Sequence, residues 1–320
     1  MQNKIEQLSE KIKSANSIAI LMHINPDGDA VGSAIGLREI IRDNFGKEST
    51  LVYPGKYEFV LDFLPGINDL IHIDNFKMTD PFDLVIAVDT TGIDRLDDCA
   101  KIFETARDTV KIDHHDMTDD FANLNINMHI PSTAEIIYKI ARDAGWKINN
   151  NAVTVLFTGI TTDTGFFRFI HGPETFLILS DLVKLGAKPN YILDKLTMDR
   201  KNSVLVNANA ISKSKFYFND RLVMASFTAD DFIRADQNDG LALMTLRGID
   251  TIEYTVILKE TTDGIVRISL RSRNNPVNHI AKQLNGGGHL NAAGGQIKGT
   301  LDDATDTVLK LFETELGEKR

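Results

Sequence analysis

The chain has 320 residues, 42% hydrophobic and 25% charged, with a formal net charge of −10 and a single cysteine. That length accommodates two ordinary domains with separate cores, and no apolar run approaches the ~20 residues a membrane span needs. The acidic balance argues against coating long nucleic acid through many phosphate contacts, and one cysteine, Cys99, excludes an intramolecular disulfide or a thiolate-cluster metal site.

In chain order, residues 1–15 read as an amphipathic helix without the apolar core of a signal peptide, so a reducing cytoplasm is expected. Val-, Ile- and Leu-rich runs at 17–23, 49–53, 69–73, 82–89 and 109–115 read as strands separated by helices or loops. This is the pattern of a parallel sheet covered on both faces. Residues 132–145 read as a helix with a Ser132/Glu135 capping box and Gly145 at its end. Residues 150–165 read as a buried helix running into a turn, and 173–186 as a helix with proline at its start. Segment 191–210 reads as a polar helical connector. Beyond it, hairpins at 215–227 (around Asn219-Asp220) and 253–272 (around Asp263-Gly264) indicate a separate α+β domain over 211–320.

The stretch "MHINPDGDAVG" sets His23, Asp27 and Asp29 directly after the first strand. Asn-Pro-Asp-Gly alone is an ordinary turn signal. Yet Asp89 closes the strand at 82–89, and Asp113, His114 and His115 close the one at 109–115. Loops at the carboxyl ends of parallel strands line one crevice, so three strands deliver these groups to one edge. Carboxylates and imidazoles gathered without lysine or arginine need cations to balance them. Asp163, beyond an apolar helix, is a further candidate. Nitrogen and oxygen donors without thiolates suit Mn²⁺, with Mg²⁺, Co²⁺ or Zn²⁺ as competitors. Five aspartates and three histidines suit two ions ~3.5–4 Å apart, as used for in-line displacement at phosphorus. His72, His129, His171 and His279 match no motif and read as structural, and Arg168 reads equally well as surface or substrate-facing.

In order and context, His23-x3-Asp27-x-Asp29, Asp89, Asp113-His114-His115 and Asp163 resemble the DHH phosphoesterase superfamily. The stretch "NGGGHLNAAGG" at 285–295 resembles the glycine-rich signature of the DHH-associated C-terminal domain. The whole is most similar to the bacterial nanoRNase and 3′-phosphoadenosine-5′-phosphate phosphatase group. The resemblance implies a catalytic metal-binding domain over 1–190 and a substrate-binding domain over 211–320, with the active site in the cleft between them. It also implies that His23 and Asp27 hold one Mn²⁺ and that Asp29, His114 and Asp163 hold the second, with Asp89 bridging. Asp113 would orient a neighbouring group, and His115 would donate to the scissile phosphate or leaving group. The spacing alone does not sort ligands between the ions.

From 264 to 301 there is no Asp or Glu, whereas Arg267, Arg271, Arg273, Lys282 and Lys298 all fall there. Arg271 and Arg273 occupy alternate positions of a strand, and Gly286, Gly287, Gly288 and His289 follow in a loop. These six read as a phosphate or base clamp. The expected reaction is attack on phosphorus by a hydroxide that two metals generate near neutral pH, on short RNA or DNA oligonucleotides and small phosphorylated nucleotides. No membrane partner is expected, and the sequence leaves room for a homodimer. The rival readings are a cyclic-dinucleotide phosphodiesterase, a RecJ-like single-strand exonuclease, a type II pyrophosphatase and a nucleotide-sensing module without turnover.

Overall fold

The computed structural model describes residues 1–116, 118–170 and 172–317; Met117, His171 and the side chain of His289 lie outside the described residues. The chain divides into two units, one ending at Met198 and the other beginning at Asp199. The first contains α1 (Gln2–Ser14), β1 (Ile18–Leu21), α2 (Gly28–Phe45), β2 (Ser49–Tyr53), β3 (Leu70–His72), β4 (Leu84–Val88), α3 (Ala100–Glu104), β5 (Asp108–Asp113), β6 (Leu124–Asn127), α4 (Thr133–Ala144), α5 (Asn150–Asp163), α6 (Glu174–Lys184) and α7 (Pro189–Leu196).

Its six strands form an all-parallel sheet in the order β3-β2-β1-β4-β5-β6. Both faces are buried, and the period-two alternation of β1 shows how: Ile18 and Ile20 join the core under α1, α2, α4 and α5, whereas Ala19 and Leu21 join a second core with Leu96, Ile102 and Phe103. The strand order reverses between β1 and β4, which opens a crevice at their carboxyl ends. Helices α2 and α5 cross close beside that crevice because neither carries bulk at the contact. A Cβ on Gly32 would lie 2.4 Å from the Val155 carbonyl oxygen, and one on Gly28 would lie 2.4 Å from Thr162 Oγ1. This approach brings the end of α5, Asp163, next to the start of α2.

Helix α4 ends as expected on left-handed Gly145, but its capping box is only half formed. Ser132 Oγ accepts from the Glu135 amide, while the Glu135 carboxylate instead accepts from Thr175 Oγ1 at 2.9 Å.

The second unit contains α8 (Lys201–Ser212), β7 (Lys215–Tyr217), β8 (Leu222–Phe227), α9 (Ala229–Arg234), α10 (Gly240–Arg247), β9 (Tyr254–Glu260), β10 (Ile265–Ser272), α11 (Asn278–Gln283), β11 (Gly287–His289), β12 (Ala292–Lys298) and α12 (Leu301–Leu316). Its mixed sheet runs β11-β12-β10-β9-β8-β7, with β8 and β9 parallel and the other pairs antiparallel. One face packs on α11 and α12, and the β8–β9 part of the other packs on α8, α9 and α10. The expected connector at 191–210 is helical, as α7 and α8, but it does carry core residues. Ile192 and Leu196 of α7 belong to the first core, and Val206 and Ala210 of α8 belong to the second. Each short helix buries one narrow stripe, which a polar composition hides. No described helix is long and apolar enough to cross a membrane.

Candidate metal centre

The carboxyl ends of β1, β4 and β5 and the facing ends of α2 and α5 supply the centre. Asp27 caps α2, accepting from the amides of Asp29 at 3.0 Å and Ala30 at 3.1 Å, which satisfies two of that helix's orphan donors. Asp29, the second residue of α2, is fully buried. Its Oδ2 accepts from the Thr133 amide at 2.6 Å, and its Oδ1 accepts from the Ala134 amide at 2.9 Å. Asp89 follows β4 with left-handed backbone (φ 56°), fixed by its amide donating to the Ile112 carbonyl at 2.9 Å. Its Oδ1 accepts from Thr133 Oγ1 at 3.0 Å.

The two candidate ligand histidines are oriented alike. His23 Nδ1 donates to the Ile24 carbonyl at 2.9 Å, and His114 Nδ1 donates to the Ile130 carbonyl at 3.0 Å. In each, Nε2 is the nitrogen turned toward the carboxylates, the one that a bound metal would take. His23 Nε2 lies 3.6 Å from Asp89 and 3.9 Å from Asp27, and His114 Nε2 lies 3.2 Å from Asp163 and 3.5 Å from Asp89. Three overlapping sets come within metal-sharing reach: His23–Asp27–Asp89, Asp29–His114–Asp163 and Asp89–His114–His115. His115 differs from His114 in having its Nδ1 engaged by the Asp113 carboxylate at 2.8 Å.

Electrostatics show the strain of crowding these groups. Burial, then the charges of Asp89 and Asp27, pushes the Asp163 carboxyl up to about 8, and burial with Asp89 and Asp163 pushes Asp29 well above the usual range. Burial alone would lower His23, but hydrogen bonding and charge from Asp27 and Asp89 outweigh it and hold it at about 10. Divalent cations fit this donor set: they would relieve the repulsion among carboxylates and take the place of the protons on Asp163 and His23.

Thr133 has no place in the sequence reading, yet it joins Asp29 through its amide and Asp89 through its hydroxyl. Its signal is a helix start placed just after the strand that follows the DHH triplet, which reads as capping alone.

In the second unit, β10 alternation leaves Arg267, Ser269 and Arg271 opposite the apolar side chains of Val266, Ile268 and Leu270. Arg271 is paired in register with Ala292, as is His289. Burial lowers the Arg271 pKa. Arg273 departs from the expected same-face arrangement. The strand ends at Ser272, and the Arg273 guanidinium donates to the carbonyls of Asp250 at 3.0 Å, Arg247 at 3.3 Å and Ile249 at 2.5 Å, at the end of α10 and just past it. The glycine run also differs: it is a strand paired with β12, not a loop. A Cβ on Gly286 would lie 1.9 Å from the Gly294 oxygen, and one on Gly288 would lie 2.6 Å from the Ala292 oxygen, so both serve close backbone packing. Only Gly287 of the three faces open space.

His72 accepts from the Asp74 amide at 3.2 Å, and His279 pairs with Glu315 at 2.8 Å.

Residues 17–160 match the DHH family, N-terminal domain, and residues 221–318 match the DHHA1 domain. A probable bifunctional oligoribonuclease and PAP phosphatase NrnA of Streptococcus mutans is 30% identical, covering 89% of this chain and 90% of its own length. The bifunctional oligoribonuclease and PAP phosphatase NrnA of Thermus thermophilus is likewise 30% identical, covering 98% of this chain and 94% of its own. The crystal structure of an exopolyphosphatase-related protein from Bacteroides fragilis superimposes with a TM-score of 0.91 at 26% identity, over 99% of this chain and 98% of that one. DHH phosphoesterases are metal-dependent, in keeping with the donors gathered at the β1/β4 switch point. With both domains matched in order and relatives aligned along nearly the whole length, the chain belongs to the DHH family, an N-terminal DHH domain followed by a DHHA1 domain.

Proposed function

We propose that this chain is a metal-dependent phosphoesterase that hydrolyses short oligonucleotides and 3′-phosphoadenosine-5′-phosphate in the cytoplasm. The observation that carries the reading is the convergence of His23, Asp27, Asp29, Asp89, His114 and Asp163 on one sheet edge, with both ligand imidazoles presenting Nε2. Relatives named for both activities align along almost the full length. Two Mn²⁺ ions are the proposed occupants: His23 and Asp27 would hold one and Asp29, His114 and Asp163 the other, with Asp89 within reach of both groups. When bound, such ions supply an activated water near neutral pH and offset negative charge on the phosphoryl group.

The remaining work falls to the chain. Asp113 holds His115 with Nδ1 protonated, which leaves Nε2 to donate, when protonated, to a phosphoryl oxygen or the departing oxygen. Arg271 of β10, together with Gly287 and His289 of β11, holds the distal phosphate or base, a role in which Arg273, spent on backbone carbonyls, takes no part. Turnover of a dinucleotide, the bisphosphorylated nucleotide and cyclic dinucleotides with Mn²⁺ tests this reading. Hydrolysis of the first two is expected. Turnover confined to cyclic dinucleotides would favour that rival, and none at all would remove the enzyme reading.

A further inference from the structure

One fully buried charge has no part in the mechanism so far. Lys111 lies in the middle of β5, wholly buried on a strand otherwise suited to Val or Ile. Burying an ammonium is costly unless it is paired and hydrogen-bonded, so its surroundings show what it serves. Its Nζ donates to Thr118 Oγ1 at 2.6 Å and to the Asp119 carbonyl, stands 5.3 Å over the Phe121 ring, and lies 4.0 Å from Asp113 Oδ2.

The Thr118 hydroxyl has one proton. With Lys111 donating to its oxygen, that proton can go to Asp113 Oδ2 or, at 3.2 Å, to the Thr91 carbonyl. The carboxylate is the nearer and stronger acceptor. Asp113 is fully buried, and its other oxygen accepts from His115 Nδ1 at 2.8 Å. The contacts thus run in one direction, from Lys111 through Thr118 and Asp113 to His115.

We propose that Thr118, held by Lys111, is a positioning residue for His115: it fixes the Asp113 carboxylate in the rotamer that orients the imidazole. Without it, Asp113 keeps only the His115 bond and the distant ammonium, and the ring is free to turn. The catalytic consequence rests on the reading of His115 as a substrate-facing donor; the orienting role does not.

The test uses the full chain and three variants, Thr118→Val, Thr118→Ser and Lys111→Met, with His115→Ala as reference. In metal-free protein, nitrogen-15 NMR should show a downfield, slowly exchanging His115 Nδ1 proton in the wild type and in Thr118→Ser. The signal should be broadened or lost in Thr118→Val and Lys111→Met. With Mn²⁺ and a dinucleotide, Thr118→Val should lose about 10- to 100-fold in kcat, the range for groups that support a site from behind. KM and bound metal should be unchanged, and Thr118→Ser should recover to within about threefold of the wild type. An unaltered Nδ1 signal in Thr118→Val overturns the proposal, as does a kcat loss that tracks lost metal. Turnover retained in His115→Ala would overturn the role given to His115, while the NMR arm still decides the orienting chain.

Discussion

Asp29 Oδ2 accepts the Thr133 amide at 2.6 Å, so a carboxylate in the first turn of α2 also closes the first turn of α4. With Oδ1 on the Ala134 amide, Asp29 faces the positive end of α4, where a carboxylate is favoured. A candidate metal ligand is therefore also a structural tie between two helices. Asp29→Ala strands two buried amides, at a cost of roughly 1–3 kcal/mol each. Asp27→Ala costs less, roughly 0.5–2 kcal/mol, because it removes only a helix cap. Both variants should lose turnover by orders of magnitude. Thermal unfolding of the metal-free proteins should separate them, with Asp29→Ala melting lower, and equal melting temperatures would contradict the tie.

The raised pKa values set a pH dependence with one sign. Asp163 titrates at about 8 in the folded chain, against a carboxyl near 3.8 when unfolded, and His23 titrates at about 10 against 6.5. In both cases the folded state holds a proton that the unfolded state has released. Stability of the metal-free protein therefore falls as pH rises through about 4–8 for Asp163 and about 6.5–10 for His23. Metal binding expels those protons, so affinity for Mn²⁺ should rise over the same range. Calorimetric titration in buffers of different ionisation enthalpy at pH 6 and 8 measures the protons released. Asp163→Asn should stabilise the metal-free chain, more at pH 9 than at pH 6, while abolishing turnover. Destabilisation by that variant at high pH would show that burial and the neighbouring carboxylates are not what raises Asp163.

The adjacent histidines should separate cleanly. His114 offers Nε2 to Asp163 and Asp89, whereas His115 is tied through Nδ1 to Asp113. His114→Ala should lose bound metal, and His115→Ala should keep it and lose kcat. Elemental analysis of the purified variants decides the point, and equal metal loss in both would make His115 a ligand too.

Gly32 tests how the helices set the site. An added methyl would sit 2.4 Å from the backbone oxygen of Val155, which cannot move away as a flexible side chain can. Gly32→Ala should cost about 1–3 kcal/mol as overpacking and weaken Mn²⁺ binding, because it separates Asp163 from Asp29. Gly145→Ala, at a helix end where nothing lies within 4 Å, serves as the control: its left-handed φ of 68° costs stability without touching the metal affinity. Equal metal affinity in both would mean the α2–α5 contact does not tune the centre.

What the sequence reveals follows from where each residue's partner lies. His23, Asp89 and Asp113 sit at the ends of apolar strands, and in a parallel sheet that alone places them on one edge. Thr133 and Thr118 contact partners that no spacing brings together. Thr118 reaches Asp113 across a loop, and Thr133 reaches Asp29 from 104 residues away. The short edge strand β6, whose Asn125 and Asn127 interrupt any apolar run, is unreadable for a related reason. The glycine run at 286–288 misleads in the opposite direction. Its glycines suggest a ligand loop, while Gly286 and Gly288 are required by the neighbouring backbone. Arg273 fits the alternating pattern but falls one residue past the strand, where the chain turns it onto backbone carbonyls.

Arg271 and Arg273 supply the last contrast. Arg271 stays on β10 opposite the core, half-buried, with Nη1 on its own Leu270 carbonyl at 2.9 Å and the Ala293 carbonyl at 3.4 Å. Those contacts occupy one of its two terminal nitrogens and hold the guanidinium plane in place. If Arg271 grips the distal phosphate or base, Arg271→Ala should lose a charge-assisted hydrogen bond of about 1.5–3 kcal/mol, roughly ten- to hundredfold in kcat/KM on a dinucleotide. A small activated ester such as p-nitrophenyl phosphate lacks that distal part, so its slower hydrolysis should hardly change. Arg273→Ala should behave differently: its guanidinium closes backbone carbonyls near the end of α10, so the variant should lower the melting temperature and leave the ratio of the two substrates' kcat/KM alone. Measuring that ratio in both variants makes the comparison internal to each protein. Equal losses on both substrates in Arg271→Ala would make this arginine a support of the fold, and a changed ratio in Arg273→Ala would return it to the clamp.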